Sequence, residues 1–354
     1  MVAQIDQMAW AAAYLSEIDR VGAQTEGRVL KSVFFGGGTP SLMDPEVVDA
    51  ILTKVRATWS IANDIEVTLE ANPTSVEAGR FAGYRDAGVN RVSMGIQALN
   101  DADLKALGRL HTASEAMQAF EIARDTFNRV SFDLIYARQG QSLTDWMAEL
   151  KQALGLAIDH LSLYQLTIEE GTAFGDRYAA GKLRGLPDDD AAADMYAATQ
   201  DICGEAGLRS YEVSNHARPE CESVHNKIYW AYGDYAGIGP GAHGRLTIAG
   251  KRYATEAPLL PAQWLSQVHK TGSGEATRER LDRQDQLAEF LLMGMRLREG
   301  VMVSRYPELL EDNYISKIND LTEMGMVSFD RQTLRLTEQG YPVLNAVLRT
   351  LLDD

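Results

Sequence analysis

Cysteine is nearly missing from this chain: Cys203 and Cys221 are the only two in 354 residues. That is too few for a disulfide framework, and their spacing fits no common zinc pattern. A reducing cytoplasm is the expected home. Positive charge is also scarce, with 34 Lys and Arg against 50 Asp and Glu, a net of −16 and a pI near 4.9. Such a field repels phosphate backbones, so nucleic acid is not expected as a partner. No apolar run approaches the roughly 20 residues of a membrane span. The opening Met1-Val2-Ala3-Gln4-Ile5-Asp6 has neither the basic start nor the apolar stretch of an export signal. Nucleotide loops are missing too. No Lys follows the glycines as a Walker loop requires, and Ser41 stands where a dinucleotide fingerprint needs its third Gly.

What is present begins with Val33-Phe34-Phe35-Gly36-Gly37-Gly38-Thr39-Pro40-Ser41, an apolar strand running straight into three glycines. Glycine lets a backbone turn sharply and bring its amides against a ligand. With Thr39 and Pro40 fixing the exit, this segment reads as a small-molecule site at the carboxyl end of a strand.

Short β-rich runs then alternate with helical patterns for about two-thirds of the chain. The expected strands are Val29–Phe35, Ile65–Leu69, Arg91–Gly95, Val130–Ile135, His160–Gln165 and Ser210–Val213. Between them lie helical stretches at Pro45–Thr58, Ser75–Ala87, Ala113–Thr126, Leu143–Leu156 and Asp188–Ala206. Asp44 before Pro45 reads as a capping carboxylate. This alternation predicts an α/β fold, a full or partial (β/α) TIM-like barrel. Polar residues recur at or just beyond each strand end: Gly36–Thr39, Glu70, Gln97, Asp133, Gln165 and Asn215. With strand interiors expected to be apolar, these groups should converge on one barrel mouth. Singly, such a residue is more often a cap or a satisfied loop group; several in register favour a shared site.

From about Glu275 the pattern changes. Leu281–Arg298 reads as a helix, Tyr306–Met324 as one or two shorter helices, and Val327–Leu336 as a hairpin turning near Asp330-Arg331. The order suggests a winged-helix-like α+β unit. With 10 basic and 15 acidic residues from Glu275 onward, packing or a lid role suits it better than DNA binding.

With these residues in view, the chain resembles the radical S-adenosylmethionine (SAM) superfamily. More narrowly, it resembles the HemW-type haem chaperones, which are related to oxygen-independent coproporphyrinogen III oxidase. The resemblance covers nearly the whole chain. It rests on Gly36–Ser41, Glu70-Ala71-Asn72-Pro73, Ser93-Met94-Gly95-Ile96-Gln97, Leu107-Gly108-Arg109-Leu110-His111-Thr112 and Asp133-Leu134-Ile135-Tyr136. It continues through Leu163–Glu169, Tyr211–Asn215, His225-Asn226-Lys227-Ile228-Tyr229-Trp230 and Gly237–His243. The resemblance implies a partial radical SAM barrel (residues 1–215), a haem-motif and connecting segment (216–274) and a C-terminal winged-helix-like domain (275–354).

It also implies a SAM site. Gly37, Gly38 and Thr39 would meet the methionyl ammonium, and Arg109 the methionyl carboxylate, which a guanidinium fork binds with two donors. Gln97 and Asp133 would hold the ribose hydroxyls, and Glu70 would partly balance the positive charges. Taken alone, Arg109 reads as a surface ion pair and Asp133 as a helix cap; the order and spacing of the set favour the site. The H-N-x-x-Y-W run implies haem, with His225 as candidate iron ligand and Tyr229 and Trp230 as flat apolar support. The alternative for His225 is a hydrogen-bonded residue in a loop anchored by its aromatics. His216 and His243 could take its place.

Two departures stand out. Members of the family hold a 4Fe–4S cluster on C-x-x-x-C-x-x-C after the first strand, and no such triplet occurs here. The chain opens on what resembles the first helix, Gln4–Asp19, so the first strand and the cluster loop are expected to belong to a longer form, the start codon having been placed too far downstream. A genuinely shortened protein is the other explanation. As written, the chain offers no three thiolates for a cluster, and radical chemistry is closed to it alone. Secondly, Ala137-Arg138-Gln139 stands where relatives have Gly-Leu-Pro, putting the local turn in doubt. The leading expectation is a cytoplasmic haem chaperone passing haem to an acceptor protein, with a respiratory or membrane-side acceptor among the options. The rival is an oxygen-independent coproporphyrinogen III oxidase. A third reading is an inert scaffold, poorly soluble because an open barrel exposes a strand edge.

Overall fold

The computed structural model describes residues 5–168, 171, 173–181 and 183–353. Gln4, where the first helix was expected to start, and Glu169 of one motif lie outside them. The first helix runs Gln7–Gln24 and packs on Pro45–Thr58 and Pro261–Thr271, with Trp10, Tyr14 and Trp264 in mutual ring contact.

The main sheet holds β1 (Val29–Phe35), β2 (Ser60–Ala71), β3 (Arg91–Gln97), β4 (Arg129–Tyr136), β5 (His160–Gln165), β6 (Arg209–Ser210) and β7 (Asn215–Ala217). Its order is β1-β2-β3-β4-β5-β7-β6. From β1 to β5 every pairing is parallel and in chain order. A helix crossing over after each strand curls such a sheet into a half-barrel. The expected sixth strand, Ser210–Val213, is instead a hairpin: β6 and β7 pair antiparallel, and β7 runs antiparallel to β5. Asn215 therefore begins a strand and does not end one.

Strand periodicity divides the sheet into two faces. The outer face is apolar: Val67, Leu69, Val92, Met94, Ile96, Val130, Phe132, Leu134 and Leu161 pack beneath Leu52, Phe81, Phe120, Trp146 and Leu150 of the helices. The inner face departs from the expectation of apolar strand interiors. Glu66, Thr68 and Glu70 of β2, Arg91 and Ser93 of β3, and Arg129, Ser131 and Asp133 of β4 alternate with the apolar set. These polar groups satisfy one another: Arg91 donates to Thr68 Oγ1 at 3.4 Å and Ser131 Oγ at 2.7 Å, and Ser131 donates to Ser93 at 3.0 Å. Burying them is tolerable only because they are bonded.

Beyond the barrel, β8 (His243–Ile248) and β9 (Lys251–Glu256), in the expected connecting segment, form an antiparallel sheet with β10 (Thr277–Arg280), which lies past the expected boundary at 275. The C-terminal part follows the expected order: helix Arg283–Gly294, helix Asp312–Glu323 and the hairpin of β12 (Val327–Phe329) and β13 (Thr333–Leu336). Arg331 takes φ +66° at the turn. A short β11 (Val301–Met302) completes a three-stranded sheet, and a closing helix, Leu344–Leu352, packs on its own apolar core. Among the described residues no helix is long and apolar enough to cross a membrane.

Candidate functional site

The site starts where β1 runs out. A side chain at Gly36 would put its Cβ 2.3 Å from the Phe34 ring and 3.3 Å from the Glu70 carboxyl carbon, so only hydrogen fits. Gly37 and Gly38 follow at φ +76° and +55°, in the left-handed region that favours glycine. This turn aims the Gly37 amide at the end of β2, where it donates to Glu70 Oε2 at 3.0 Å. Thr39 leads into the 3₁₀ turn Pro40–Leu42. The loop is braced from below by Glu77, a buried residue that sequence reasoning missed. Its carboxylate accepts from the Ser41 hydroxyl and, at 2.6 and 3.1 Å, from the Asn72 amide and side chain. Glu77 thus ties Gly36–Ser41 to Glu70–Pro73. Asp44 caps the next helix by position only; its carboxylate turns to Arg80, 3.4 Å away.

The neighbouring strands carry the rim onward. Gln97 ends β3 after an irregularity in register, buried and at φ +75°. Such a conformation costs a non-glycine roughly 1–2 kcal/mol and persists only where the surroundings enforce it. Asp133 on β4 lies 3.5 Å from the Ser93 hydroxyl. Burial pushes its pKa up to about 6; the Ser162 hydroxyl, Arg91 and Ser93 pull it down, and the Glu70 carboxylate pushes further up. Glu70 is raised as well, by burial, against the pull of the Gly37 amide and Arg91. Among the described residues Arg91 has no carboxylate in contact, whereas Arg138 and Arg252, also buried, are ion-paired. Its charge serves both rim carboxylates from the barrel floor. Asn215, although on an antiparallel strand, still reaches the interior, accepting from Ser162 at 2.9 Å.

Gly37, Glu70, Gln97 and Asp133 are therefore gathered at the carboxyl ends of adjacent strands. Arg109 stands apart, on an exposed loop after the short helix Asp101–Ala106, and its guanidinium has no partner among the described residues. The loop is nevertheless tied to the rim: His111 Nε2 donates to the carbonyl of Ile96, the residue before Gln97, at 3.1 Å. Beyond Asp133, Ala137 takes φ +55°, in the left-handed region, so the turn is kept at a cost to a residue with a Cβ. Arg138 pins it through Asp103 at 2.7 Å and Glu149 at 2.6 Å.

His225 lies in the helix Val224–Trp230 and not in a loop. That helix packs inside the half-barrel against β1, and the imidazole stacks on Phe34 with centroids 4.5 Å apart and planes 18° apart. Neither ring nitrogen has a hydrogen-bond partner among the described residues, against the alternative of a bonded structural histidine. Burial lowers its pKa to about 4, with Arg91 adding to the shift and Glu66 opposing it, so the ring is neutral. Tyr229 contacts Trp230 and Tyr235, and Arg296 covers the Trp230 ring at 4.4 Å. His216 and His243 are placed elsewhere. His216 is buried at the β6–β7 pairing beside Gln200, and His243 is exposed, 3.7 Å from Glu256.

The cysteines do not fit a cluster. Cys203 is buried in the core, its thiol pushed up to about 12, and Cys221 lies in the turn before the haem-motif helix. Among the described residues no three potential metal ligands come together.

A curled parallel half-barrel with a glycine loop at its rim defines the class, and comparison with known proteins gives the group. Residues 13–153 match the model of the radical SAM superfamily, and residues 281–343 that of the HemN C-terminal domain. The mouse radical S-adenosyl methionine domain-containing protein 1, mitochondrial, is 42% identical over 91% of this chain and 76% of its own length. The haem chaperone HemW of Escherichia coli K12 is 36% identical over 96% of this chain and 88% of its own. The structure of coproporphyrinogen III oxidase (HemN) from Escherichia coli superposes with a TM-score of 0.81 at 20% identity, covering all of this chain and 85% of that one. The chain belongs to the radical SAM superfamily, in its HemW-type family.

Proposed function

We propose that this protein is a haem-binding chaperone that takes haem on His225, binds SAM at the barrel rim and passes the haem to an acceptor protein. The observation that carries the reading is His225 itself: an uncharged imidazole, half-buried, stacked on Phe34, with neither nitrogen engaged by a described residue. A histidine fixed this way has already met the cost of ordering and desolvation and lacks only a ligand for its lone pair. Bound haem supplies an iron that accepts an imidazole nitrogen. The name of the Escherichia coli relative, haem chaperone, supports the same reading.

In this reading residues 1–215 hold SAM, 216–274 carry the haem motif and 275–354 close the molecule. SAM presents a sulfonium, an ammonium, a carboxylate and a ribose. Gly37, Gly38 and Thr39 would face the methionyl group, Glu70 its positive charges, and Gln97 and Asp133 the ribose hydroxyls. Arg109, with its guanidinium free, would swing onto the carboxylate. The described residues do not fit a 4Fe–4S cluster. A cytoplasmic, reducing compartment suits two free thiols.

Titrating haem into wild type and His225→Ala while following the Soret band tests the proposal. Wild type is expected to give a saturable, histidine-ligated spectrum, and His225→Ala to lose it with at least tenfold weaker binding. Equal spectra for the two would end the His225 assignment. Sustained decarboxylation of coproporphyrinogen III would instead favour an oxidase.

A further inference from the structure

His225 is held by more than its helix. Seven residues cannot form a stable helix alone, and the anchors of this one come from distant strands. Glu66, on the inner face of β2 and 4% exposed, accepts three bonds from its first turn: Ser223 Oγ at 3.0 Å, the Val224 amide at 3.1 Å and the His225 amide at 3.1 Å. The carboxylate is fixed in turn by Arg129 at 3.1 Å, and Arg129 by Asp159 at 3.1 Å. One residue further along, Asn226 donates to the Tyr211 hydroxyl at 3.2 Å, and that hydroxyl meets His160 Nε2 at 2.9 Å. These bonds set where the His225 backbone is. Phe34 sets the plane of its ring, because a face-stacked partner at 4.5 Å and 18° restricts the imidazole's side-chain torsions to those that keep the stack.

We infer that Glu66, backed by Arg129, and Phe34 form a seat that positions the His225 imidazole that would ligate haem iron, Glu66 through the backbone and Phe34 through the ring. They are positioning residues; neither is assigned a contact with haem. The inference rests on the reading of His225 as the haem ligand. It adds that ligation is preorganised from β1 and β2, the strands that also carry the glycine loop and Glu70. An axial ligand held in one rotamer binds iron without first losing torsional freedom. Releasing either restraint should therefore change the ligation itself and not only the fold.

The test uses the full chain, with ferric haem as the probe, in wild type, Glu66→Gln, Phe34→Leu and His225→Ala. Glu66→Gln keeps the shape but places an amide N–H among three donors. Phe34→Leu keeps apolar bulk without a flat face. Both are expected to fold, as judged by circular dichroism. They should bind haem several-fold more weakly and with faster dissociation, and give a Soret band mixing histidine-ligated and unligated forms. Added imidazole should restore the ligated spectrum. If both keep the wild-type spectrum and dissociation rate, the seat is refuted while His225 stands. A loss of stability with an unchanged spectrum would make Glu66 a helix cap only, and would equally refute it. Should Glu66→Gln fail to fold, Phe34→Leu decides alone. If His225→Ala leaves the spectrum unaltered, the ligand assignment fails and the seat with it.

Discussion

At the residue scale, the rim is a balance between half-buried carboxylates and a distant cation. Asp133 releases its proton at about pH 6 in the folded chain and near 3.8 when unfolded. The folded state therefore binds the proton more tightly, and stability falls as pH rises through that window. Asp133→Asn removes the penalty. Urea unfolding should find the variant more stable than wild type, the gain growing by on the order of 1 kcal/mol between pH 5 and pH 8. SAM affinity should move the opposite way. An ionised carboxylate is the better acceptor for ribose hydroxyls and the better neighbour for a sulfonium. Wild-type binding should then weaken as pH drops through about 6, whereas Asp133→Asn should bind weakly at every pH. Calorimetric titration of SAM at pH 5 and pH 8 checks both. The rim residues Glu70 and Gln97 were legible because they stand at strand ends in a recurring pattern; Asp133 lies three residues inside the end of β4. Glu66 was not legible: its partner His225 lies 159 positions away, and nothing local links a strand carboxylate to a helix start.

At the element scale, the structure resolves the doubt over the turn after β4. Ala137 keeps the left-handed conformation that the family's glycine would adopt freely, and Arg138 buries itself between Asp103 and Glu149 to hold it. Ala137→Gly should stabilise the protein by roughly 1 kcal/mol, because a Cβ in this region is what costs the energy. Denaturant midpoints with unchanged slopes would show it; no gain would mean that Arg138 has already absorbed the strain. Strands β1 to β5 were readable because short β-rich runs alternate regularly with helical stretches along the chain. The β6–β7 hairpin was not, since residues 211–214 are spent on its connection. The sheet of β8 to β10 escaped for a related reason. Thr277-Arg278-Glu279-Arg280 is exposed throughout and bears no strand signature.

At the scale of the whole molecule, the polar inner face explains how a half-barrel can stay open. A full barrel fills its lumen with bulky apolar side chains; this one lines it with bonded charges and hydroxyls and seats a helix there. The C-terminal part closes the other end of that helix. Arg305 donates to the carbonyls of Ala231, at 2.6 Å, and Tyr232, at 3.2 Å, and Arg296 lies on Trp230. Deleting residues 281–354 should leave SAM binding within about threefold while haem binding falls at least tenfold, the helix having lost its carboxyl-end partners. Equal haem affinity in the shortened chain would show that the barrel suffices. The sequence displayed the two regions as separate patterns but gave no sign of these cross-links, which depend on arginines indistinguishable from surface residues until folded.

The Arg305 clasp also imposes an order of events during synthesis. Residues up to 217 can complete the sheet and its rim as they leave the ribosome, yet the carbonyls of Ala231 and Tyr232 wait until residue 305 has emerged. A nascent chain paused between those points would carry a finished barrel rim beside a helix not yet fastened at its carboxyl end. On the proposed function, binding at His225 would then await the last stretch of translation.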